Sequence, residues 1–155
     1  MALKTDRTHI ASDISYFTSA TATRGGIMTI ATAGSGAAMD QSVATVAYAS
    51  DPSGLRPVGV LMGDVVNLDL TRQKENAHKE ETQLGGKVTI WTQGQVVTNM
   101  IKSGDDPTVG QIAYVGANGL LTVTDLGSEA TPRVGHFLST KDADGYCKVS
   151  INCTH

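Results

Sequence analysis

Apolar and polar residues alternate with a period of two along most of this chain. From Gly26 onward, short runs rich in Val, Ile and Thr are separated by Gly, Asp, Asn and Pro. This alternation is typical of half-buried β-strands, whereas a helix needs apolar positions every three to four residues. The pattern predicts an all-β fold, a compact barrel or sandwich of about ten short strands. The predicted strands are 27–32, 43–49, 58–62, 65–70, 87–91, 95–98, 112–115, 120–124, 134–139 and 146–152.

Several turn signals separate these strands. Asn118-Gly119 favours a two-residue hairpin of type I′, because both central positions of that turn need a positive φ. Gln93-Gly94 is interpreted as another turn. The run 142–145 starts like a calcium loop, but Cys153 stands where the loop needs its glutamate, so a turn between strands is favoured.

Residues 1–24 depart from the alternation and are interpreted as an extended N-terminal arm. The segment is rich in Thr, Ser, Ala and Asp, and its one apolar group is formed by Ile14, Tyr16 and Phe17. No helical stripe continues beyond that group. The aromatic side chains either reach for a partner surface or fold back on their own domain. Residues 25–155 are predicted to form a single β domain, which suits the length of the chain.

A second departure is the charged segment 71–82, which contains Arg72, Lys74 and His78. It has a single alanine and no apolar stripe, so a helix there would have nothing to bury. We predict a long solvated loop between strands, and loops of this length are often functional. The alternative is that this segment is a solvated loop without a function. A metal site is disfavoured, because adjacent loop residues seldom point at one centre.

The strand 87–91 has one apolar face and one mixed face. Val88 and Ile90 share the first, and Trp91 belongs to the second. We therefore expect Trp91 on the outer face, near a rim or a subunit contact, where tryptophan is favoured.

Charge and composition exclude several partners. The formal net charge is −3, so the chain lacks the basic field that nucleic-acid binding normally needs. No apolar run approaches the roughly 18 residues of a membrane-spanning helix, and the polar N-terminus does not resemble a secretory signal. Cys147 and Cys153 alternate onto one face of the last strand, too far apart for a disulfide, and are expected to be buried thiols.

No catalytic constellation emerges from the motifs. The sequence has no nucleophile elbow and no glycine-rich phosphate loop. His136 is expected to be half-buried rather than catalytic. We therefore predict no enzymatic activity, no cofactor and no metal.

With the strands laid out, the chain resembles the capsid decoration (cement) proteins of tailed bacteriophages. The resemblance spans about 14–152. The runs that carry it are 22–26, 59–79, 85–88, 93–99, 107–110, 113–114, 119–120, 134–139, 144–146 and 148–149. It implies a small, often trimeric β protein, made in the host cytoplasm, that sits on the exterior of the capsid and bridges major capsid subunits. No catalytic residue is carried over.

Candidate contact residues for the capsid or for a neighbouring subunit follow from the arm, the charged segment and the single tryptophan. They are Tyr16, Phe17, Arg24, Arg72, Lys74, His78 and Trp91. Another virion component, such as a tail or fibre β domain, remains an alternative. A trimeric β-rich nucleotide hydrolase is a weaker one, since its acidic residue and phosphate loop are missing.

Overall fold

The protein, as a computed structural model, is described over residues 3–4, 11–13, 16–33, 44–64, 68–69, 74–75, 80–125 and 131–153. Within these ranges it contains only β-strands and one 3₁₀ turn at Ala117–Gly119, which confirms the all-β prediction. No helix there is long and apolar enough to cross a membrane. The strands are β1 (Leu3–Lys4), β2 (Ala11–Asp13), β3 (Phe17–Thr18), β4 (Ala22–Thr23), β5 (Ile27–Thr32), β6 (Thr45–Ala47), β7 (Pro57–Asp64), β8 (Leu68–Asp69), β9 (Lys74–Glu75), β10 (Glu81–Thr82), β11 (Val88–Thr98), β12 (Ile112–Val115), β13 (Leu121–Thr122), β14 (Arg133–Phe137) and β15 (Cys147–Asn152).

Strand β11 organises the main sheet. The strand order is β13-β12-β14-β15-β11-β7-β5-β6-β3, and β1 and β2 also pair with β11. Because Gln93 pairs with both Ala11 of β2 and Asn152 of β15, these two strands lie on opposite edges of β11. Ile90 likewise pairs with both β2 and β7. One edge of β11 therefore carries β7 and then β15, and the other edge carries the N-terminal strands.

Two half-sheets consequently meet at β11. We call β7, β5, β6 and β3 the first half-sheet, and β15, β14, β12 and β13 the second half-sheet. The hydrogen-bonded path ends at β13 and β3, so the described strands do not close into a barrel. The pairs β10–β4 and β8–β9 are separate two-stranded ladders.

The turn predicted at Gln93-Gly94 is wrong, because β11 runs through it without interruption. Gly94 has φ +142° and pairs with Ile151 of β15. It lies where the partner on this edge changes from β7 to β15, and glycine within a strand often marks a bend of this kind. Glycine has the same signature in a turn and in a bent strand, so the sequence pattern does not distinguish the two.

The larger hydrophobic cluster draws on both half-sheets. Ile27 and Val60 from the first pack with Phe137 and Val149 from the second. As predicted, the alternating residues of the last strand share one face, and both cysteines are buried and free. The buried members of this larger cluster are Ile27, Val60, Val96, Ile101, Ala113, Val115, Leu121, Val134, Phe137, Cys147, Val149, Ile151 and Cys153.

The smaller cluster lies on the opposite face of the first half-sheet. Met28 and Leu61 belong to it, although their sequence neighbours Ile27 and Val60 face the larger cluster. Strands β5 and β7 are therefore buried on both faces, which explains their nearly continuous apolar sequences. The buried members of the smaller cluster are Ala22, Met28, Val46, Val58, Leu61, Val88 and Ile90.

The hairpin predicted at Asn118-Gly119 is confirmed. Asn118 has φ 57° and ψ 33°, Gly119 has φ +74°, and the Leu120 N–H donates to the Ala117 carbonyl at 3.2 Å. Its tip packs against Tyr48, and a Cβ on Gly119 would lie 2.3 Å from that ring. The Tyr48 hydroxyl donates to the Thr23 carbonyl and accepts from the Gly26 N–H. The packing of Gly119 against the Tyr48 ring joins the hairpin of the second half-sheet to the residue that follows β6.

The described N-terminal residues, 3–4, 11–13 and 16–24, include short strands that fold back on the domain. Strands β1 and β2 pair with β11, and β3 pairs with β6. Tyr16 is half-buried against the smaller cluster, and Ala22 is one of its buried members. The buried Thr18 hydroxyl donates to the Gln83 carbonyl at 2.7 Å. The described parts of this segment therefore pair with the domain, and Tyr16 packs on it.

The charged segment 71–82 is interrupted by short strands. Lys74–Glu75 forms β9, and Glu81–Thr82 forms β10 with Thr82 buried. Backbone pairing with β8 and β4 thus outweighs the polar composition that predicted a continuous loop. Arg72 and His78 lie outside the described residues.

Candidate interaction surface

Phe17 and Lys87 form a surface pair at one corner of the domain. The two residues are bridged through their backbones, and the Lys87 Nζ lies 5.9 Å from the centroid of the Phe17 ring. A cation in this position is attracted by the face of the ring. The adjacent turn carries Leu84, which is 62% exposed. That turn is pinned to Thr18 by backbone hydrogen bonds at 2.9–3.0 Å. We call Phe17, Leu84 and Lys87 the aromatic corner.

Arg24 is engaged within the chain. Its guanidinium makes a two-pronged contact with the Glu80 carboxylate, at 3.1 Å from Nε and 3.0 Å from Nη2. The Arg24 N–H also donates to the Glu80 carbonyl at 2.7 Å. These bonds join the turn after β4 to the start of β10. Arg24 is therefore a structural link, and its guanidinium is less available to a partner than its sequence context indicated.

Trp91 occupies the face opposite Val88 and Ile90, as the alternation predicts. Both Val88 and Ile90 are buried in the smaller cluster. The opposite face is not open surface, however, because Trp91 is half-buried against the larger cluster. A strand at the junction of two half-sheets has packing on both sides, and the period of two residues cannot distinguish that from one exposed face. Of the remaining candidates, Lys74 is placed only through its backbone in β9.

The exposed turn before β12 was not singled out as a contact by the sequence. Val109 is 69% exposed there. Gly110 has φ +85°, the Gln111 N–H donates to the Thr108 carbonyl at 3.2 Å, and the Gln111 side chain accepts from the Thr108 N–H at 3.1 Å. The Gly110 N–H is bound by the Phe137 carbonyl at 2.8 Å. The turn thus holds an apolar side chain in solvent on a fixed backbone.

A groove of about 890 Å³ crosses the outer face of the second half-sheet. Tyr114, Asp125, Arg133 and His136 line it, and the Tyr114 hydroxyl donates to the Asp125 carboxylate at 3.2 Å. Desolvation and this carboxylate raise the pKa of Tyr114, while Arg133 acts in the opposite direction. His136 is exposed, which corrects the expectation that it is half-buried.

Several polar and ionisable groups stabilise the fold. One Asp105 carboxylate oxygen accepts from the Thr122 hydroxyl at 2.6 Å and from a backbone N–H at 3.0 Å. Asp142 caps its own turn by accepting two backbone N–H groups. Burial raises the pKa of the Cys153 thiol to about 12. Within the described ranges, no three His, Cys, Asp or Glu side chains are grouped so that they could hold a metal ion.

Comparison with known proteins does not assign a family. No model of a known protein family matches the sequence, and no curated protein matches it either. The resemblance to capsid decoration proteins therefore stays a prediction.

Proposed function

We propose that this chain is a virion structural protein that binds the outer surface of a phage capsid, as a homotrimer, and bridges neighbouring major capsid subunits. The observation that carries the proposal is the display of large apolar side chains, Val109 and Leu84, on turns whose backbones are fixed by hydrogen bonds. The resemblance in sequence supports the same function.

Fixed turns are favourable for docking on a rigid shell. Binding costs free energy for every side chain and loop that must be ordered, and a turn already held by backbone bonds avoids much of that cost. An isolated exposed valine or leucine contributes little. Contacts repeated on three subunits of one oligomer add through effective concentration, so modest contacts give high avidity.

The roles of the polar groups also support a binding function. Asp105 and Asp142 accept hydrogen bonds from the domain itself, and Arg24 is paired with Glu80. A surface in which such groups stabilise turns, while apolar side chains face solvent, suits contact with another protein. In this proposal the chain catalyses no reaction.

Cosedimentation with expanded empty capsids tests the proposal. The capsids are assembled from the major capsid protein of the same virion, and the bound fraction is measured across a concentration series. We expect Val109→Ser and Leu84→Ser to weaken binding at least fivefold without a change in melting temperature. Ala143→Ser, in another exposed turn, is the matched control and should bind like the unchanged chain.

Failure of the unchanged chain to bind these capsids would overturn the proposal. Equal binding of the unchanged chain and its three variants would show that neither turn contacts the capsid. The observation on which the proposal depends would then be lost.

A further inference from the structure

The groove on the outer face of the second half-sheet carries an inference independent of the capsid. It is lined by residues of β14 and β15, by Tyr114 of β12 and by Pro57 at the start of β7. A volume of about 890 Å³ lies near the upper end of the roughly 300–1,000 Å³ that is usual for ligand sites. The groove can therefore hold several residues of a polypeptide.

A β-bulge brings two basic side chains onto this face. Ala113 pairs with Gly135, and Tyr114 pairs with Arg133, so that Val134 is an extra residue on β14. In a regular strand, residues 133 and 136 would point to opposite faces. With the bulge, Val134 enters the larger cluster while Arg133 and His136 are both exposed and line the groove. Bulges often re-aim side chains at functional positions.

Glycine at position 135 makes this geometry possible. A Cβ there would lie 1.8 Å from the Ser150 carbonyl oxygen, which no side chain can tolerate. The neighbouring His136 pairs with Ser150 of β15, and both side chains line the groove. Arg133, His136 and Ser150 thus place three kinds of hydrogen-bond donor along one surface.

The basic groups of the groove are available to a ligand. Across the described ranges, neither Arg133 nor His136 makes a side-chain hydrogen bond or an ion pair. Asp125, a carboxylate that lines the same groove, accepts a hydrogen bond from Tyr114. A guanidinium binds a carboxylate through two parallel N–H donors, which gives both strength and orientation.

We propose that this groove binds an extended segment of a partner protein, and that an Asp or Glu carboxylate of that segment is bound by Arg133 and His136. Charge complementarity selects this occupant. A nucleic-acid backbone needs many cations, whereas the groove offers one guanidinium and one imidazole next to a carboxylate, in a chain of net charge −3. The proposal does not depend on the capsid function.

Titration of the ¹⁵N-labelled full chain with synthetic peptides tests it. The probe is a ten-residue peptide with blocked termini in which glutamate alternates with valine. The control peptide has the same sequence with glutamine in place of each glutamate. We expect the glutamate peptide to shift amide signals of β12, β14 and β15, with at least tenfold weaker binding of the glutamine peptide. Arg133→Gln with His136→Gln should weaken glutamate-peptide binding at least tenfold. Lys102→Gln removes an exposed cation outside the groove and should leave binding unchanged.

Several results would overturn the proposal. These are equal binding of the two peptides, signals shifted only outside the groove, no binding, or equal losses in the groove and Lys102 variants. An oligothymidine that binds in the groove more tightly than the glutamate peptide would assign it to nucleic acid instead. Because Arg133 and His136 are exposed, circular dichroism should show both variants folded like the unchanged chain.

Discussion

The two hydrophobic clusters of this protein are enclosed in different ways. The larger cluster is held between the two half-sheets, so strands cover it on both sides. The smaller cluster lies on the other face of the first half-sheet, where Tyr16, Ile30 and Tyr48 are packed against it as half-buried side chains. Sheet-on-sheet packing leaves few ways to relax a cavity, whereas partly exposed covering residues can move inward.

This difference gives the N-terminal segment a structural role. Tyr16 and Ala22 contribute to the smaller cluster, while β1 and β2 cover the outer edge of β11. An uncovered edge presents unpaired N–H and C=O groups to other chains. Strands β1 and β2 thus cover an edge of β11, and we expect the second half-sheet to be the more rigid side of the molecule.

The largest expected effect compares one leucine in each cluster. Leu121 and Leu61 are both fully buried. We expect Leu121→Ala to lower the free energy of unfolding by about 3–5 kcal/mol, and Leu61→Ala by about 2–3 kcal/mol because the covering side chains can partly fill the space. Urea unfolding followed by circular dichroism measures both. Equal losses, or the reverse order, would contradict the difference in rigidity.

The next effect concerns the contact between the hairpin tip and Tyr48. Gly119→Ala adds a Cβ that collides with the Tyr48 ring, at a residue with φ +74°. We expect a loss of about 2–3 kcal/mol from backbone strain and overpacking together. Gly104 has a similar φ of +87°, and a Cβ added there would have no atom within 4 Å, so Gly104→Ala isolates the backbone effect. That effect is about 1 kcal/mol.

A double substitution sharpens this comparison. With Tyr48→Leu in the background, Gly119→Ala should cost no more than Gly104→Ala, because the colliding ring is gone. Additive effects of the two substitutions would show that the hairpin tip does not depend on Tyr48.

Removal of residues 1–15 should have a moderate effect. It deletes β1 and β2 while retaining Tyr16, and we expect a loss of about 1–2 kcal/mol because the backbone pairs they make with β11 are lost. Hydrogen exchange should become faster at β11 amides along that edge, with little change in β12 and β14. Unchanged stability and exchange would mean that this segment does not cover β11.

The smallest effect is expected for the ion pair between Arg24 and Glu80. Both side chains are partly exposed, at 26% and 37%, so solvent screens the attraction. We expect Arg24→Gln to lower stability by less than about 1 kcal/mol, with a weaker effect in 1 M salt. Thermal unfolding at two salt concentrations measures it. A loss comparable to that of Gly119→Ala would show that this link is part of the rigid framework.

The candidate residues named from the sequence and those named from the structure overlap only in part. The sequence pattern indicated Phe17, which forms the aromatic corner with Lys87, but it did not indicate Val109 or the pair of Arg133 and His136. In an alternating sequence, the residues around an exposed valine do not differ from those around a buried one. The bulge that turns Arg133 and His136 to one face is a property of the pairing with β12, whereas a period of two residues alone would place them on opposite faces.

The features that could be predicted depend on residues close together in the chain. The alternation predicted strands such as Ile27–Thr32 and Ile112–Val115, and Asn118-Gly119 predicted its own turn because φ preferences are local. Features that could not be predicted depend on partners far along the chain. The passage of β11 through Gly94, the two-sided burial of β5 and β7, and the pairing of β2 with β11 all join distant segments. Such pairings are selected by the packing of the whole domain, since each strand offers the same backbone groups to every possible neighbour.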